Sequence, residues 1–401
     1  MNMKRLVFLL ESPFSRRDYE RFGIDVLLSE GFKVDIWDFT PLINPRLAVG
    51  FIPSDSIEYE GLRKFHNKGE ALTAIRSLTN ACVINLLFYS FRTYYLFKAL
   101  SKVGIPYCIF VANTMPALIS TKSGLLSRFT GQNKMNWNRL VNAIFTRIPR
   151  ALFGITEPRF ILAGGEKSVP VKYKNAKNTE IIWGHALDYD LFLLAGNGTK
   201  KPKLKTGVFM DQNLPFHPDL IRNNKAPLVS VGKYFTSLNE FFDLVETAYG
   251  VEIVIAAHPR SQYENDINYF QGRKVIKGRS LELIQDAQFV ITHFSAGVHF
   301  PVLLNKPVLF ITTEEIEQRK KHQVQVFASL FGKEAINIDE PLALNWDEAL
   351  TVDKVKYKEH INQYIKKEGS IDKPFWEIVA DRLQRLDSKI HNKDRGCIDG
   401  N

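Results

Sequence analysis

Cysteines and long hydrophobic runs are scarce in this sequence, and each scarcity excludes a class of protein. The 401 residues contain three cysteines, at positions 82, 108 and 397. Their spacing matches no metal site, and their odd number argues against a disulfide framework, which favours a reducing cytoplasm. No stretch approaches the ~20 apolar residues that span a bilayer. The apolar run near the start is interrupted by Glu11 and Pro13, so we expect a first β-strand there and no signal peptide.

The sequence also lacks the glycine fingerprint G-x-G-x-x-G, internal repeats and low-complexity tracts. Without the fingerprint, the classical dinucleotide-binding class is disfavoured. Lys and Arg exceed Asp and Glu by 53 to 43, which gives a formal charge of +10. That balance suits anionic partners such as nucleotides, anionic glycans or lipids, and a membrane surface. No recognised nucleic-acid module accompanies it, so no nucleic-acid partner is expected.

The length and the local composition predict two domains. A chain of 401 residues exceeds what one compact core usually holds. Between residues 196 and 205 the sequence GNGTKKPKLK has the glycine, proline and lysine content of an exposed linker. We therefore predict two Rossmann-like domains, at 1–196 and 206–388, and a charged tail at 389–401.

A polar triplet follows an apolar strand in the second half of the chain. Residues 251–257 form an apolar, β-branched run that stops at His258-Pro259-Arg260, where proline forbids continuation of a central strand. In an open α/β sheet, ligands bind at the carboxyl ends of the strands. The pattern therefore places an imidazole and a guanidinium where a ligand phosphate would bind.

A second strand end nearby carries a hydroxyl. Residues 289–293 predict a strand, Ser295-Ala296-Gly297 a turn, 298–305 a helix and 307–313 the next parallel strand. Such a turn offers backbone N–H groups and the Ser295 hydroxyl at a helix N-terminus, which favours an anion. We predict that His258, Arg260 and the Ser295 turn hold one phosphate.

Further elements are predicted by hydrophobic patterning. Residues 5–10 predict the first strand and 19–31 a helix that ends at Gly31. Residues 151–156 predict a strand ending at Glu157, and 228–231 predict a strand that precedes a helix at 237–249. Near the C-terminus, FWEIVADRLQRL predicts an amphipathic helix that can cross back to brace the first lobe. The segment from Asn113 to Arg150 predicts an amphipathic basic surface.

Two Rossmann-like lobes joined by a linker, with phosphate-suited loops in the second lobe, resemble a GT-B glycosyltransferase. His258-Pro259 resembles the H-P motif of bacterial sialyltransferases. Residues 292–310 (THFSAGVHFPVLLNKPVLF) resemble the small-hydroxyl segment of those enzymes and of CDP-glycerol glycerophosphotransferases, with Ala296 where a second Ser or Thr is expected. The resemblance implies that the domain at 1–196 is the acceptor side and that the domain at 206–388 binds the nucleotide sugar. It also implies that His258 and Ser295 hold the phosphate of a cytidine nucleotide.

Glycosyl transfer also needs a carboxylate, as a base or as a nucleophile. Asp211 is the first candidate because it follows the first predicted strand of the second lobe. Glu157 and Glu11 are the second and third, each at the predicted carboxyl end of a first-lobe strand. A CMP leaving group needs no metal to neutralise a diphosphate, so we predict no metal and no cofactor beyond the nucleotide-sugar donor. An imidazolium at His258 and the Arg260 guanidinium would stabilise the departing phosphate.

These observations predict a metal-independent glycosyltransferase of bacterial surface polysaccharide biosynthesis, acting on O-antigen, capsule or lipopolysaccharide. The favoured donor is a CMP-activated nonulosonate, sialic acid-like or Kdo-like, and the acceptor is a glycan or lipid-linked glycan. We expect a cytoplasmic protein that contacts the inner face of the inner membrane. Two alternatives stay open: a non-hydrolysing UDP-sugar 2-epimerase, and a non-catalytic polysaccharide assembly or export factor.

Overall fold

Two parallel β-sheets organise the computed structural model, which describes residues 4–53, 55–116, 137–196, 204–217, 220, 226–263, 268–340 and 345–395. The first sheet has seven strands and the second has six. All of their pairings are parallel, with helices between most successive strands. The predicted α/β class, with two Rossmann-like lobes of the GT-B type and C-terminal helices, is confirmed.

The first sheet follows the order β3-β2-β1-β4-β5-β6-β7, and its strands are apolar on both faces because helices cover both. Its strands are β1 (Arg5–Leu10), β2 (Lys33–Asp38), β3 (Leu62–Lys64), β4 (Ala81–Asn85), β5 (Tyr107–Phe110), β6 (Phe160–Ala163) and β7 (Glu180–Trp183). The strand order reverses between β1 and β4, which creates a crevice at the carboxyl ends of these strands.

The second sheet repeats the same order, β10-β9-β8-β11-β12-β13. Its strands are β8 (Thr206–Met210), β9 (Glu252–Ala257), β10 (Val275–Lys277), β11 (Phe289–Thr292), β12 (Val308–Thr312) and β13 (Ala335–Asn337). The order reverses between β8 and β11, so the loops after β8, β9 and β11 share one edge.

Helices occupy the connections between the strands, as right-handed crossovers require. In the first half of the chain they span Arg16–Arg21, Ile24–Ser29, Thr40–Ile43, Pro45–Gly50, Lys68–Arg76, Tyr94–Val103, Trp137–Phe145, Val171–Lys174 and Leu187–Leu194. In the second half they span Val231–Tyr249, Ser280–Asp286, His299–Leu303, Gln318–Ser329, Trp346–Ala349, Lys354–His360 and Phe375–Arg395.

The helix predicted at 19–31 is two short helices that meet at Gly23. Gly23 has a φ of 54°, in the left-handed region that favours glycine. A Cβ atom added there would lie 2.5 Å from the indole of Trp376, so the bend makes room for that ring. The break therefore reflects a tertiary contact that hydrophobic spacing does not reveal.

Two predicted strands are wrong. Residues 150–153 form a 3-10 turn closed by Gly154 at a φ of 69°, and the strand begins later, at Phe160. Glu157 consequently precedes β6 instead of following a strand. Residues 228–230 are irregular, and the helix predicted from 237 already begins at Val231. In both places a short apolar run satisfied the strand pattern without a neighbouring strand to pair with.

The C-terminal helix Phe375–Arg395 returns to the first lobe, as predicted. Phe375, Trp376 and Val379 are buried in the same cluster as Phe8 and Phe22. The Trp376 indole N–H donates to the Arg21 carbonyl at 2.8 Å. The helix extends to Arg395, so the tail predicted from residue 389 begins as helix. Residues 396–401, the linker residues 197–203 and residues 117–136 of the predicted basic surface lie outside the described ranges.

Candidate functional site

A cleft of about 730 Å³ lies between the two lobes at the carboxyl edges of both sheets. All five predicted phosphate-site residues line it: His258, Arg260, Ser295, Ala296 and Gly297. Asp211 lines it as well. The cleft's charged and titratable lining residues are Arg17, Arg21, Asp188, Asp211, His217, His258, Arg260, His299 and Lys320. Cations therefore outnumber carboxylates at this surface.

Asp211 organises the loop after β8. Its Oδ1 accepts a hydrogen bond from the Asn213 N–H at 2.8 Å, a local turn that holds Asn213 at a φ of 51°. Its Oδ2 accepts from the His258 N–H at 3.1 Å and from the Tyr263 hydroxyl at 2.9 Å. Burial raises the pKa of Asp211, although these hydrogen bonds oppose the shift. With both oxygens engaged by neighbours, the carboxylate fixes the position of the loop that carries His258.

One ring nitrogen of His258 is hydrogen-bonded within its own loop. Its Nδ1 accepts from the Arg260 N–H at 3.1 Å, so in the neutral ring Nε2 carries the proton and is the donor. Burial, followed by the charges of His217, Arg260, Arg17 and Lys277, lowers the pKa of His258 to about 3. The imidazolium expected from the sequence is thus absent near neutral pH, because the same cations that favour an anion in the cleft disfavour a charged ring.

The Ser295 turn begins with a hydrogen bond of its own. The Ser295 hydroxyl accepts from the Gly297 N–H at 3.1 Å and caps a short 3-10 turn that leads into the helix His299–Leu303. The hydroxyl proton stays available to donate. A Cβ atom on Gly297 would lie 3.2 Å from the Met210 sulfur, so glycine lets this turn pack against β8. The Gln212 amide oxygen accepts from the Phe294 N–H at 2.8 Å and ties the loops after β8 and β11 together.

The first lobe contributes a second group of charges. The Arg21 guanidinium contacts the Asp188 carboxylate at 3.1 Å, and His299 Nδ1 of the second lobe lies 3.3 Å from the other Asp188 oxygen. Burial alone would raise the pKa of Asp188, but Arg21, His299 and Arg17 lower it to about 2. Burial, Arg21 and Arg260 lower the pKa of Arg17 to about 10. Arg17, Arg21 and Arg260 therefore repel one another across the cleft.

The two histidines that flank the Ser295 turn have different surroundings. His293 is buried: its Nδ1–H donates to the Ile311 carbonyl at 2.8 Å, and its Nε2 accepts from the Tyr234 hydroxyl at 3.0 Å. Burial lowers the pKa of His293 to about 4, so this ring is a neutral packing group. His299 is equally buried, but it lines the cleft beside Asp188.

The two remaining carboxylate candidates do not line the cleft. Glu11 follows β1 as predicted, but its Oε2 accepts from the Phe88 N–H at 3.4 Å, toward the loop after β4. Glu157 is exposed at the amino end of β6, the edge of the sheet opposite to the cleft. Its predicted place at a strand's carboxyl end rested on a strand at 151–156 that the structure lacks.

Sequence reasoning did not select Arg17, Arg21, His217 or Lys320. A signal for Arg17 exists, because a helix that begins with Ser15 as its cap carries two arginines in its first turn. Cations at that end of a helix interact unfavourably with the helix dipole, so their presence there indicates a role other than stabilising the helix. Asp188 was not selected either, and the structure places it in the first turn of the helix Leu187–Leu194.

No described helix is both long enough and apolar enough to cross a bilayer.

No protein-family model matches this sequence, and no curated protein sequence is significantly similar to it. Solved structures with a similar chain path include MurG of Acinetobacter baumannii, at 13% identity and a TM-score of 0.45 over 95% of this chain and 99% of that chain. Another is UDP-GlcNAc 2-epimerase of Methanocaldococcus jannaschii in complex with UDP-GlcNAc and UDP, at 12% identity and 0.45 over 95% and 99%. The calicheamicin glycosyltransferase CalG4 is 10% identical with a TM-score of 0.48 over 96% and 98%. Likeness at this level does not identify what this chain binds.

Proposed function

We propose that this chain is a glycosyltransferase that uses a nucleotide-activated sugar and holds the donor's phosphate in the interlobe cleft. The observation that carries the proposal is the meeting of His258, Arg260 and the Ser295 turn at one edge of the second sheet, facing Arg17 and Arg21. Guanidinium groups and a hydroxyl suit phosphate oxygens. The mutual repulsion of the arginines is relieved when an anion lies between them.

The same groups assist the reaction as the glycosidic bond breaks. The bond between the anomeric carbon and the phosphate oxygen breaks, and the oxygen keeps the electron pair. The acceptor oxygen bonds to the anomeric carbon, and the proton of the acceptor hydroxyl passes to water. Charge on the leaving phosphate grows along this path. Donors fixed at Nε2 of His258, at Arg260 and at the Ser295 hydroxyl stabilise that charge more strongly than they stabilise the intact donor.

For the donor we propose a CMP-activated nonulosonate, sialic acid-like or Kdo-like. The acceptor we propose is a glycan or lipid-linked glycan, and the transfer belongs to bacterial surface polysaccharide assembly at the inner face of the inner membrane. The resemblance at His258-Pro259 and at 292–310 supports this choice. Both segments line a single cleft, as a shared phosphate site requires.

A nucleotide panel tests this assignment. We expect CMP or CDP to raise the melting temperature of the purified protein and to bind in calorimetry, whereas UDP and GDP bind more weakly. A shift with UDP alone would instead indicate a UDP-sugar enzyme. Interconversion of a UDP-N-acetylhexosamine without any acceptor, followed by NMR, would favour the epimerase alternative.

We assign Asp211 a positioning role instead of the base role expected from the sequence. In Asp211→Asn, an amide N–H₂ replaces one of the oxygens that accept from His258, Tyr263 and Asn213. We expect the nucleotide Kd to rise about tenfold or more, because each lost hydrogen bond loosens the His258 loop. Calorimetry measures the Kd, and the exposed Asp347→Asn is the matched control. Unchanged nucleotide affinity combined with lost turnover would return Asp211 to the role of base.

A further inference from the structure

A long segment of the first lobe carries no negative charge. Between residues 71 and 156 the sequence contains no Asp or Glu. Ten basic residues lie in that segment, equal to the net charge of the whole chain: Arg76, Arg92, Lys98, Lys102, Lys122, Arg128, Lys134, Arg139, Arg147 and Arg150. The positive charge of this protein is therefore concentrated in one stretch of the first lobe.

Exposed apolar side chains share that stretch. The buried ring of Phe145 contacts Phe153 at 4.9 Å and Phe91 at 5.8 Å between ring centroids, so the helix Trp137–Phe145, the loop after β4 and the turn at 150–153 meet around it. Around this centre lie Phe88, Phe91, Ile144 and Leu152, which are 70%, 54%, 54% and 76% exposed. We call these four side chains the apolar patch.

Basic side chains border the apolar patch. Arg92 directly follows Phe91, Arg147 follows the helix that carries Ile144, and both are exposed, as is Lys98. Exposed Phe, Ile and Leu side chains are costly in water. Beside basic residues they match a bilayer, where the apolar side chains enter the acyl boundary and the cations meet anionic headgroups.

We propose that the apolar patch and its bordering arginines form a membrane-docking surface for anionic lipid bilayers. The proposal deepens the proposed function, because it names the part of the chain that contacts the membrane. A nucleic acid is the less suitable partner, since two of the four side chains of the apolar patch, Ile144 and Leu152, have no ring on which a base can stack.

The docking surface has a defined relation to the cleft. Phe88 and Phe91 belong to the loop at the carboxyl end of β4, and the cleft lies along the carboxyl edge of the same sheet. Docking through this loop brings the first-lobe side of the cleft toward the bilayer. The acceptor class that fits this placement is a glycan carried on a membrane lipid.

Vesicle cosedimentation tests the surface. We expect the full chain to bind vesicles of equimolar phosphatidylcholine and phosphatidylglycerol, and to bind pure phosphatidylcholine far less, with added salt weakening the binding. The double variant Phe91→Glu/Ile144→Glu should lose about tenfold or more in partitioning, because it removes two apolar side chains that would enter the bilayer and adds two negative charges. Arg92→Glu/Arg147→Glu should lose the preference for phosphatidylglycerol.

Matched controls separate this surface from the nucleotide site. Val355→Glu changes an equally exposed apolar side chain, 69% exposed on a second-lobe helix, and should leave vesicle binding unchanged. His258→Ala should also leave it unchanged, and Phe91→Glu/Ile144→Glu should keep the nucleotide affinity of the wild type. Equal vesicle binding by wild type and the double variant would overturn the proposal. A second outcome would also overturn the proposal: the wild type binds an RNA oligonucleotide but no vesicles, and Arg92→Glu/Arg147→Glu abolishes the RNA binding.

Discussion

His258→Ala is expected to weaken nucleotide binding about 10- to 100-fold, the loss that follows when a hydrogen bond to a charged group is removed. In the turnover reaction the loss in kcat/KM should reach about 100-fold, since the donor at Nε2 acts more strongly as charge develops on the leaving phosphate. Calorimetry with the nucleotide that binds best in the panel measures the first quantity. His66→Ala, at an exposed histidine after β3, is the matched control.

A second variant separates contact with the ligand from support of the loop. Nδ1 of His258 accepts from the Arg260 N–H at 3.1 Å, and the side-chain oxygen of Asn can take over that acceptor position. His258→Asn therefore keeps the loop but removes the donor at Nε2. We expect it to bind nucleotide as poorly as His258→Ala. Wild-type affinity in His258→Asn would show that the histidine only shapes the loop.

Asp188→Asn is expected to lower the free energy of unfolding at neutral pH by about 2–3 kcal/mol, less than for a fully buried pair because Arg21 keeps partial contact with solvent. The amide leaves Arg21, Arg17 and His299 without their shared carboxylate. Denaturant unfolding measures the change. The control is Asp381→Asn, which breaks an exposed contact with Lys373 at 3.5 Å and should cost under about 1 kcal/mol.

The pH dependence gives an independent readout of the same carboxylate. The pKa of Asp188 falls from its ordinary 3.8 to about 2 in the folded protein. A depressed pKa contributes stability that is fully present above pH 3.8 and is lost as the pH falls through about 2. The difference in unfolding free energy between wild type and Asp188→Asn should therefore shrink between pH 4 and pH 2. A difference that stays constant over this range would mean that Asp188 carries no such charge pair.

Hydrophobic patterning predicted the strands that hold the site, because a buried parallel strand reads as a continuous apolar run. Residues 251–257 and 289–293 became β9 and β11, and the polar residues after them reached one cleft. The pattern failed at 151–156, where an apolar run of similar length forms a turn. Only the pairing of β6 with β5 and β7 selects Phe160–Ala163 as the strand, and that choice depends on residues far away in the chain.

The protonation state of His258 and the first-lobe residues that line the cleft could not be predicted from the sequence, for a related reason. The pKa of His258 depends on its burial and on His217, Arg260, Arg17 and Lys277, and of these four residues Arg17 approaches it only once both lobes are in place. Arg17 and Arg21 belong to the first lobe. They face Arg260 because of how the two lobes are oriented. A local sequence pattern contains no information on that orientation.

The return of the C-terminal helix to the first lobe has a consequence for the order of folding during synthesis. Phe375, Trp376 and Val379 complete a core that Phe8 and Phe22 begin. The amino-terminal half therefore cannot close its apolar interior while the ribosome is still translating the second half. Until residues 375–379 have been synthesised, Phe8 and Phe22 lack these partners, and the nascent chain offers that surface to chaperones.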